Sequence, residues 1–280
     1  MPVKVALINM KGGVGKSTLT ANLAWQFGAY THWAKRVLVV DLDPQFNASQ
    51  YLLGPRRYQS LIEKGQRTIW DVLEQGTSTS GGKSPVLQPQ EVICNVAEFN
   101  TGGRIDLIPS RLELAWSLRN PAQKERKLAN LVKKIEGDYD LILVDCAPTE
   151  SMLTTAAYFT CNHVLIPVTP EYLSSIGLPL LARSIVDFKE QNETDEVEVM
   201  GIVFNATDNY SPEETKSKAD VRRFARQQGY EIFTSEVKYS RSYAKGAREG
   251  MPIFRTSYAR TSVASQFHKF ATEFAQKAGL

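Results

Sequence analysis

Six short apolar runs recur along the chain: VKVALIN (3–9), RVLVVD (36–41), RIDLIPS (104–110), YDLILVD (139–145), HVLIPV (163–168) and EVMGIVF (198–204). They are rich in β-branched residues and nearly free of apolar/polar alternation, the pattern of strands buried on both faces. Stretches with helical spacing separate most of them, at 16–29, 122–135, 172–190 and 212–228. This rhythm predicts an α/β fold: a doubly wound, mostly parallel sheet flanked by helices on both faces. The final segment, TSVASQFHKFATEFAQKAGL, sets Val263, Phe267, Phe270 and Phe274 on one helical face, which predicts a helix packed on the core. GTSTSGGKSP (76–85) is the most loop-like stretch, and a flexible excursion is expected over about 76–90.

The chain has 280 residues, close to the limit of about 250–300 at which a single core stops growing, so one domain spanning 1–280 is expected. With 42% hydrophobic and 22% charged residues it has the make-up of a globular protein. No apolar run approaches the roughly 20 residues of a membrane span. The N-terminus carries neither a charged n-region nor a small-residue cleavage site, so a cytoplasmic protein is expected. Cys94, Cys146 and Cys161 lack metal-type spacing and read as small buried hydrophobes. Charge is more informative. Between Pro212 and Arg260 eleven Lys/Arg face six Asp/Glu, a balance of +5 in a chain of net charge +3, which leaves −2 for the remainder. A basic C-terminal quarter on a mildly acidic body points to a polyanion-facing surface or to solvated helix faces.

The chemistry concentrates in three motifs. NMKGGVGKSTLT (9–20) ends in the Gly-Lys-Ser of a phosphate-binding loop, but the expected first glycine is Met10, and an additional lysine, Lys11, follows it. The loop follows a strand and opens a helix. Gly12, Gly13, Val14 and Gly15 would turn successive N–H groups toward phosphate oxygens. Lys16 would reach the β- and γ-phosphates, the Ser17 hydroxyl would bind Mg²⁺, and Thr18 is placed for the α-phosphate. In VVDLDPQFNAS (39–49), Asp41 and Asp43 end a buried strand; one carboxylate could serve the metal's water shell and the other orient the attacking water. In LILVDCAP (141–148), Asp145 ends an apolar run and can hold Mg²⁺ through water.

These motifs, with VLIPVTPEYLSSIGL (164–178), GIVFNA (201–206) and GAREGMPI (246–253), make the chain resemble ParA/MinD-type ATPases with a deviant phosphate loop, and partition ATPases of the ParA type in particular. The resemblance spans nearly the whole chain. It implies ATP and Mg²⁺ as cofactors and a homodimer in the ATP state. Lys11 then acts across the dimer interface on the nucleotide of the other subunit, joining Lys16 and Asp43 as the catalytic residues, where a lysine delivered in trans offsets concentrated phosphate charge. It assigns water positioning to Asp43, the metal side to Ser17, Asp41 and Asp145, and Asn205 to the neighbourhood of the adenine. Similar proteins usually carry glycine where this chain has Phe46, which puts the conformation of the loop after Asp43 in question.

The same resemblance implies non-specific DNA binding, association with the nucleoid, and an activating ParB-like protein that stimulates an otherwise slow hydrolysis. Lys218, Arg222 and Arg226 recur at i, i+4, i+8, with Arg223 beside them; Arg241, Lys245 and Arg248 follow at helical spacing, with Arg255 beyond. Such residues would bind phosphates in a salt-sensitive way. The phosphate loop begins at residue 11, which leaves no room for an N-terminal helix-turn-helix extension. The alternative is a MinD-like positioning ATPase on a membrane, against which the terminal helix is poor in lysine and arginine. An iron-cluster reductase would need two suitably placed cysteines, and an amidoligase would need a nucleophilic Cys/His pair.

Overall fold

The structure, a computed structural model, describes residues 1–75, 87–121, 123–171, 174–194, 196–208 and 211–280, without the side chains of 174–176. Most of the expected loop at 76–90 therefore lies outside the described residues. In chain order the elements are β1 (Val3–Leu7), α1 (Lys16–Ala29), β2 (Arg36–Leu42), α2 (Asn47–Leu53), α3 (Pro55–Glu63), α4 (Ile69–Glu74), α5 (Pro89–Val92), β3 (Cys94–Glu98), β4 (Arg104–Ile108) and α6 (Leu114–Ser117). They continue with α7 (Lys127–Lys133), β5 (Leu141–Cys146), α8 (Met152–Thr160), β6 (His163–Val168), α9 (Ser174–Asn192), β7 (Glu198–Thr207), α10 (Pro212–Gln228), β8 (Val237–Lys238), α11 (Arg241–Glu249) and α12 (Thr261–Ala278).

The strands form one eight-stranded sheet in the order β3-β4-β2-β5-β1-β6-β7-β8. Every pairing is parallel except β3 on β4 at the edge. This is the expected doubly wound class, and all six expected strands are present. Their continuous apolar character follows from alternation between two cores. Val5, Leu7, Val37, Val39, Leu141 and Leu143 point into a cluster shared with α1, α2 and α12. Ala6, Ile8, Leu38, Val40, Ile142 and Val144 point into the opposite cluster, shared with α4, α7, α8, α9 and α10.

Two expected helices differ in extent. The stretch 122–135 is helical only over Lys127–Lys133, because the chain before it turns at Gln123, whose φ of 65° no helix accommodates. The stretch expected at 172–190 runs as Ser174–Asn192. The terminal helix α12 buries Phe267, Phe270 and Phe274 completely, with Phe274 5.6 Å from Phe27 of α1. Its apolar stripe is therefore spent on the core. Among the described residues no helix is long and apolar enough to cross a membrane. All three cysteines are buried and free, and burial raises each thiol's pKa, that of Cys94 to about 12.

Candidate nucleotide site

The parallel register brings the acids together. Asp41 on β2 is the direct partner of Asp145 on β5, and Leu7, at the end of β1, pairs with Asp145 from the other side. The glycine loop leaves β1 at this point, at the carboxyl end of the sheet, where crossovers on both sides open a crevice. Gly13 and Gly15 have φ of 78° and 88°, left-handed values that suit glycine and turn the loop into the first residue of α1. Gly15 is needed for a second reason: a Cβ there would lie 2.1 Å from Asn205 Nδ2.

Asn205 is 7% exposed and donates Nδ2–H to the Val14 carbonyl at 2.8 Å. The residue expected near the adenine thus spends its amide bracing the loop from beneath. Asn9 performs the matching task at the loop's start. Its Nδ2 donates to Pro167 O at 2.7 Å, and its Oδ1 accepts from Lys11 N at 2.9 Å.

The two lysines have different addresses. Lys16 is buried, and its ammonium is folded onto the carbonyls of Asn9 (3.1 Å) and Lys11 (3.3 Å). Burial lowers its pKa, opposed chiefly by the charge of Asp145. Lys11 instead reaches away along the rim, with Nζ 2.7 Å from Glu171 Oε2.

The three acids also differ. Asp41 is fully buried but saturated: Oδ2 accepts from Ser49 N (2.8 Å) and Ser49 Oγ (2.6 Å), and Oδ1 from Asp43 N (3.1 Å). Burial pushes its pKa up to about 7, against the pull of the Ser49 bonds. Asp145 is fully buried, and among the described residues neither of its oxygens has a hydrogen-bond partner. Burial, reinforced by the neighbouring Asp41, holds its carboxyl well above the usual range. The Ser17 hydroxyl and Lys16 lie close enough to favour its charged form, but Ser17 makes no hydrogen bond of ordinary geometry to it. Asp43 is 6% exposed, and its Oδ1 accepts from Gln45 N at 2.9 Å.

A cavity of about 570 Å³, within the size range of small-molecule sites, opens over the glycine loop and Asp43, with Asp41 and Asp145 buried outside its lining. Gly12, Gly13, Gly15, Lys16, Ser17 and Thr18 form one wall, Asp43, Gln45, Asn47, Gln50 and Tyr51 another, and Ala247 and Arg248 a third. The second and third walls were not legible in the sequence, apart from Asp43 and the basic character of Arg248. The motif GAREGMPI was the available signal, but it names no partner by itself. The orphaned buried carboxylate of Asp145 and the hydroxyl of Ser17 are hard oxygen donors of the kind magnesium takes largely through water, although among the described residues no group of three acids, histidines or cysteines is gathered as a metal-holding cluster.

The basic residues do not form the single surface expected from sequence. Lys218 is only 7% exposed and is enclosed by Glu214 (2.9 Å) and Glu236 (2.7 Å), so it is removed from the exposed row. Arg222 and Arg226 are exposed on α10, with Arg223 71% exposed and paired to Asp220. Arg241, Lys245 and Arg248 sit on α11, where Lys245 pairs with Glu249 and Arg248 lines the cavity. The apolar residues of α10 and α11 belong to the two different cores, which places the helices on opposite faces of the sheet.

Comparison with known proteins gives the family. A model described as an AAA domain matches residues 3–198. The chromosome-partitioning ATPase Soj of Treponema pallidum is 27% identical over 277 residues, covering 98% of both chains. The cell division protein PomZ of Myxococcus xanthus is 28% identical over 254 residues, 88% of this chain and 70% of that one. Among solved structures, an ATP complex of a McdA variant from Cyanothece superimposes with a TM-score of 0.77 at 16% identity, covering 98% and 96% of the two chains. Cobyrinic acid a,c-diamide synthase of Mycobacterium smegmatis, with ADP and magnesium, reaches 0.74 at 21% identity, covering 100% and 97%. The last two establish a shared fold.

Proposed function

The chain belongs to the AAA domain family, as a P-loop ATPase of the ParA/MinD type, and on that premise we propose that it is an ATP-dependent dimerising ATPase that binds DNA non-specifically and positions a plasmid, chromosome or other cargo. An activating ParB-like partner would stimulate its hydrolysis. The observation that carries the reading is the opposite placement of the two loop lysines. Lys16 is folded inside its own site, whereas Lys11 stands at the rim against Glu171 and is not among the residues lining the cavity. A lysine so placed is suited to a phosphate brought by a second subunit.

In this reading ATP enters the cavity with its phosphates against the loop amides and the N-terminal end of α1. The Lys16 ammonium exchanges its two carbonyl partners for β- and γ-phosphate oxygens, a gain because those carbonyls are neutral acceptors. Ser17 and Asp145, with Asp41 behind, would hold magnesium, which supplies charge neutralisation across the phosphates. Asp43 orients water for attack on the γ-phosphorus, giving ADP and phosphate. Lys11 of the other subunit leaves Glu171 and stabilises the charge that develops. Arg222, Arg223 and Arg226 on α10 and Arg241 and Lys245 on α11 provide phosphate contacts for DNA, two sets that dimerisation would double.

The test is binding to random-sequence duplex DNA with ATP, with ADP and without nucleotide, across a salt series. ATP-dependent, salt-sensitive binding weakened in Arg222→Ala/Arg226→Ala is the expected result. Equal binding in all three states, or none, would refute the DNA-linked cycle.

A further inference from the structure

At residue 46 the structure places an aromatic side chain in a backbone conformation that glycine adopts most easily. Phe46 adopts φ 46° and ψ 32°, the left-handed region in which a Cβ crowds the following carbonyl. It closes the turn that carries Asp43, donating its N–H to Asp43 O at 2.8 Å. It also opens α2, accepting from Gln50 N at 3.1 Å. A glycine would hold this conformation without strain.

The phenylalanine has a compensating contact. Its ring lies on Tyr58 with centroids 5.1 Å apart and planes 7° from parallel. Tyr58 is buried, and its hydroxyl donates to Ser110 O at 2.9 Å. Ser110 N in turn donates to Ser49 Oγ at 3.0 Å, and Ser49 Oγ donates to Asp41 Oδ2. The ring pair is therefore anchored to the same hydrogen-bonded chain that fixes the acids. An aromatic pair and one left-handed non-glycine residue have energies of similar size and opposite sign.

We propose that Phe46 is a positioning residue: its stack on Tyr58 holds position 46 left-handed and thereby sets the loop that presents Asp43 to the nucleotide. Removing the ring but keeping the Cβ leaves the strain without its compensation. Removing both, as glycine does, relieves the strain as well. This ordering rests on the ATPase reading for its effect on turnover, but not for its effect on the loop.

The experiment compares Phe46→Ala, Phe46→Gly, Phe46→Tyr and Tyr58→Phe in the full chain, by ATP turnover and by amide hydrogen exchange at residues 45, 46 and 50. Phe46→Ala is expected to lower kcat about five- to tenfold with KM for ATP within about twofold, the signature of an effect on the reaction rather than on binding. Phe46→Gly should retain at least about threefold more kcat than Phe46→Ala. Phe46→Tyr should recover most of the loss, and Tyr58→Phe, which keeps the ring, should stay well above Phe46→Ala. Exchange at 46 and 50 should be fastest in Phe46→Ala. Equal kcat in the alanine and glycine variants, or a fall expressed in KM, would overturn the proposal. If the parent chain does not hydrolyse ATP, the ATPase reading fails, and exchange alone decides the clamp. The ranking alanine above glycine and parent sustains it, and equal exchange in all three refutes it.

Discussion

Replacing Asp145 with asparagine should make the nucleotide-free protein more stable and its nucleotide response weaker. Asp145 is fully buried with neither oxygen making a hydrogen bond of ordinary geometry among the described residues, so the substitution removes a buried charge and gives up only the attraction of Lys16 and Ser17. Leaving a buried polar group unpaired costs about 1–3 kcal/mol, and more when it is charged. The asparagine amide is itself buried and polar, so the net gain sits toward the lower end, about 1–2 kcal/mol. For a chain of this size that corresponds to a Tm rise of about 2–6 °C. The pH dependence follows from the direction of the shift. The folded-state pKa of Asp145 lies above its unfolded value, so its contribution to stability is fully present below the unfolded pKa and is lost as pH rises through the folded one. The Tm advantage of Asp145→Asn should therefore be smallest at the acid end of the range and should widen as pH rises. The assay is a thermal melt from about pH 5 to about pH 9, with and without ATP and magnesium. The added Tm from the nucleotide should be large in the parent and much smaller in the variant. A variant less stable than the parent at the alkaline end, or an advantage independent of pH, would refute the claim that burial of this carboxylate costs more than the nearby Lys16 and Ser17 return.

Lys16→Ala should abolish ATP binding in a titration with labelled nucleotide, since only this ammonium lies folded inside the loop; retained tight binding would remove the loop assignment. Asp43→Ala should bind ATP, hydrolyse it poorly and accumulate as a dimer by light scattering, and normal turnover would mean that another group positions the water. Lys218→Ala should act on stability rather than on DNA. It removes the ammonium held between Glu214 and Glu236 and leaves Glu236 with its longer, 3.9 Å contact to Arg222, with an expected loss of about 3–5 kcal/mol in denaturant unfolding, and the salt slope of DNA binding should not move. In contrast, Arg222→Ala/Arg226→Ala should lower that slope by about 2 while leaving stability nearly unchanged.

What could be read from sequence was local or repetitive. The six long strands announce themselves because a strand buried on both faces has no polar position to confuse the pattern. The edge strand β3 was hidden: Asn95 and Glu98 are exposed, and a bulge between Asn95 and Ala97 interrupts its alternation. At two residues β8 is too short to carry any pattern. α4 had a legible start, Thr68 with Asp71 three residues on, and Asp71 Oδ2 does accept the Thr68 N–H at 2.8 Å. α2 had none, because it opens at a left-handed phenylalanine. In the site, the phosphate loop was legible since all its glycines act within a few residues. Arg248 reaches the cavity, and Asn205 the carbonyl of Val14 in the loop, from far along the chain, and sequence spacing cannot express that. Burial was equally silent: nothing in the i, i+4, i+8 pattern distinguishes Lys218, enclosed by two glutamates, from Arg222 and Arg226.

The contacts of the GAREGMPI segment also separate the roles of the two basic helices. Asn22 of α1 donates to Thr18 O (2.8 Å) and Tyr51 OH (2.9 Å) and accepts from Ile253 N (2.8 Å). Tyr51 OH donates onward to Tyr243 O of α11 at 3.1 Å. Close packing seals the joint: a Cβ on Gly246 would lie 2.5 Å from Met251 O, and one on Gly250 would lie 2.7 Å from Gly54 N. The start of α1, α2, α11 and the segment around Ile253 therefore behave as one bonded body, and a movement of α2 on nucleotide binding must carry α11 with it. α10 instead packs on α9 and β7, in the opposite core. Of the two basic helices, α11 is the one tied by hydrogen bonds to α2 and the loop of Asp43, so in the proposed DNA-linked cycle nucleotide-dependent changes in DNA affinity would arise on its side, while α10 would supply a more constant electrostatic contribution.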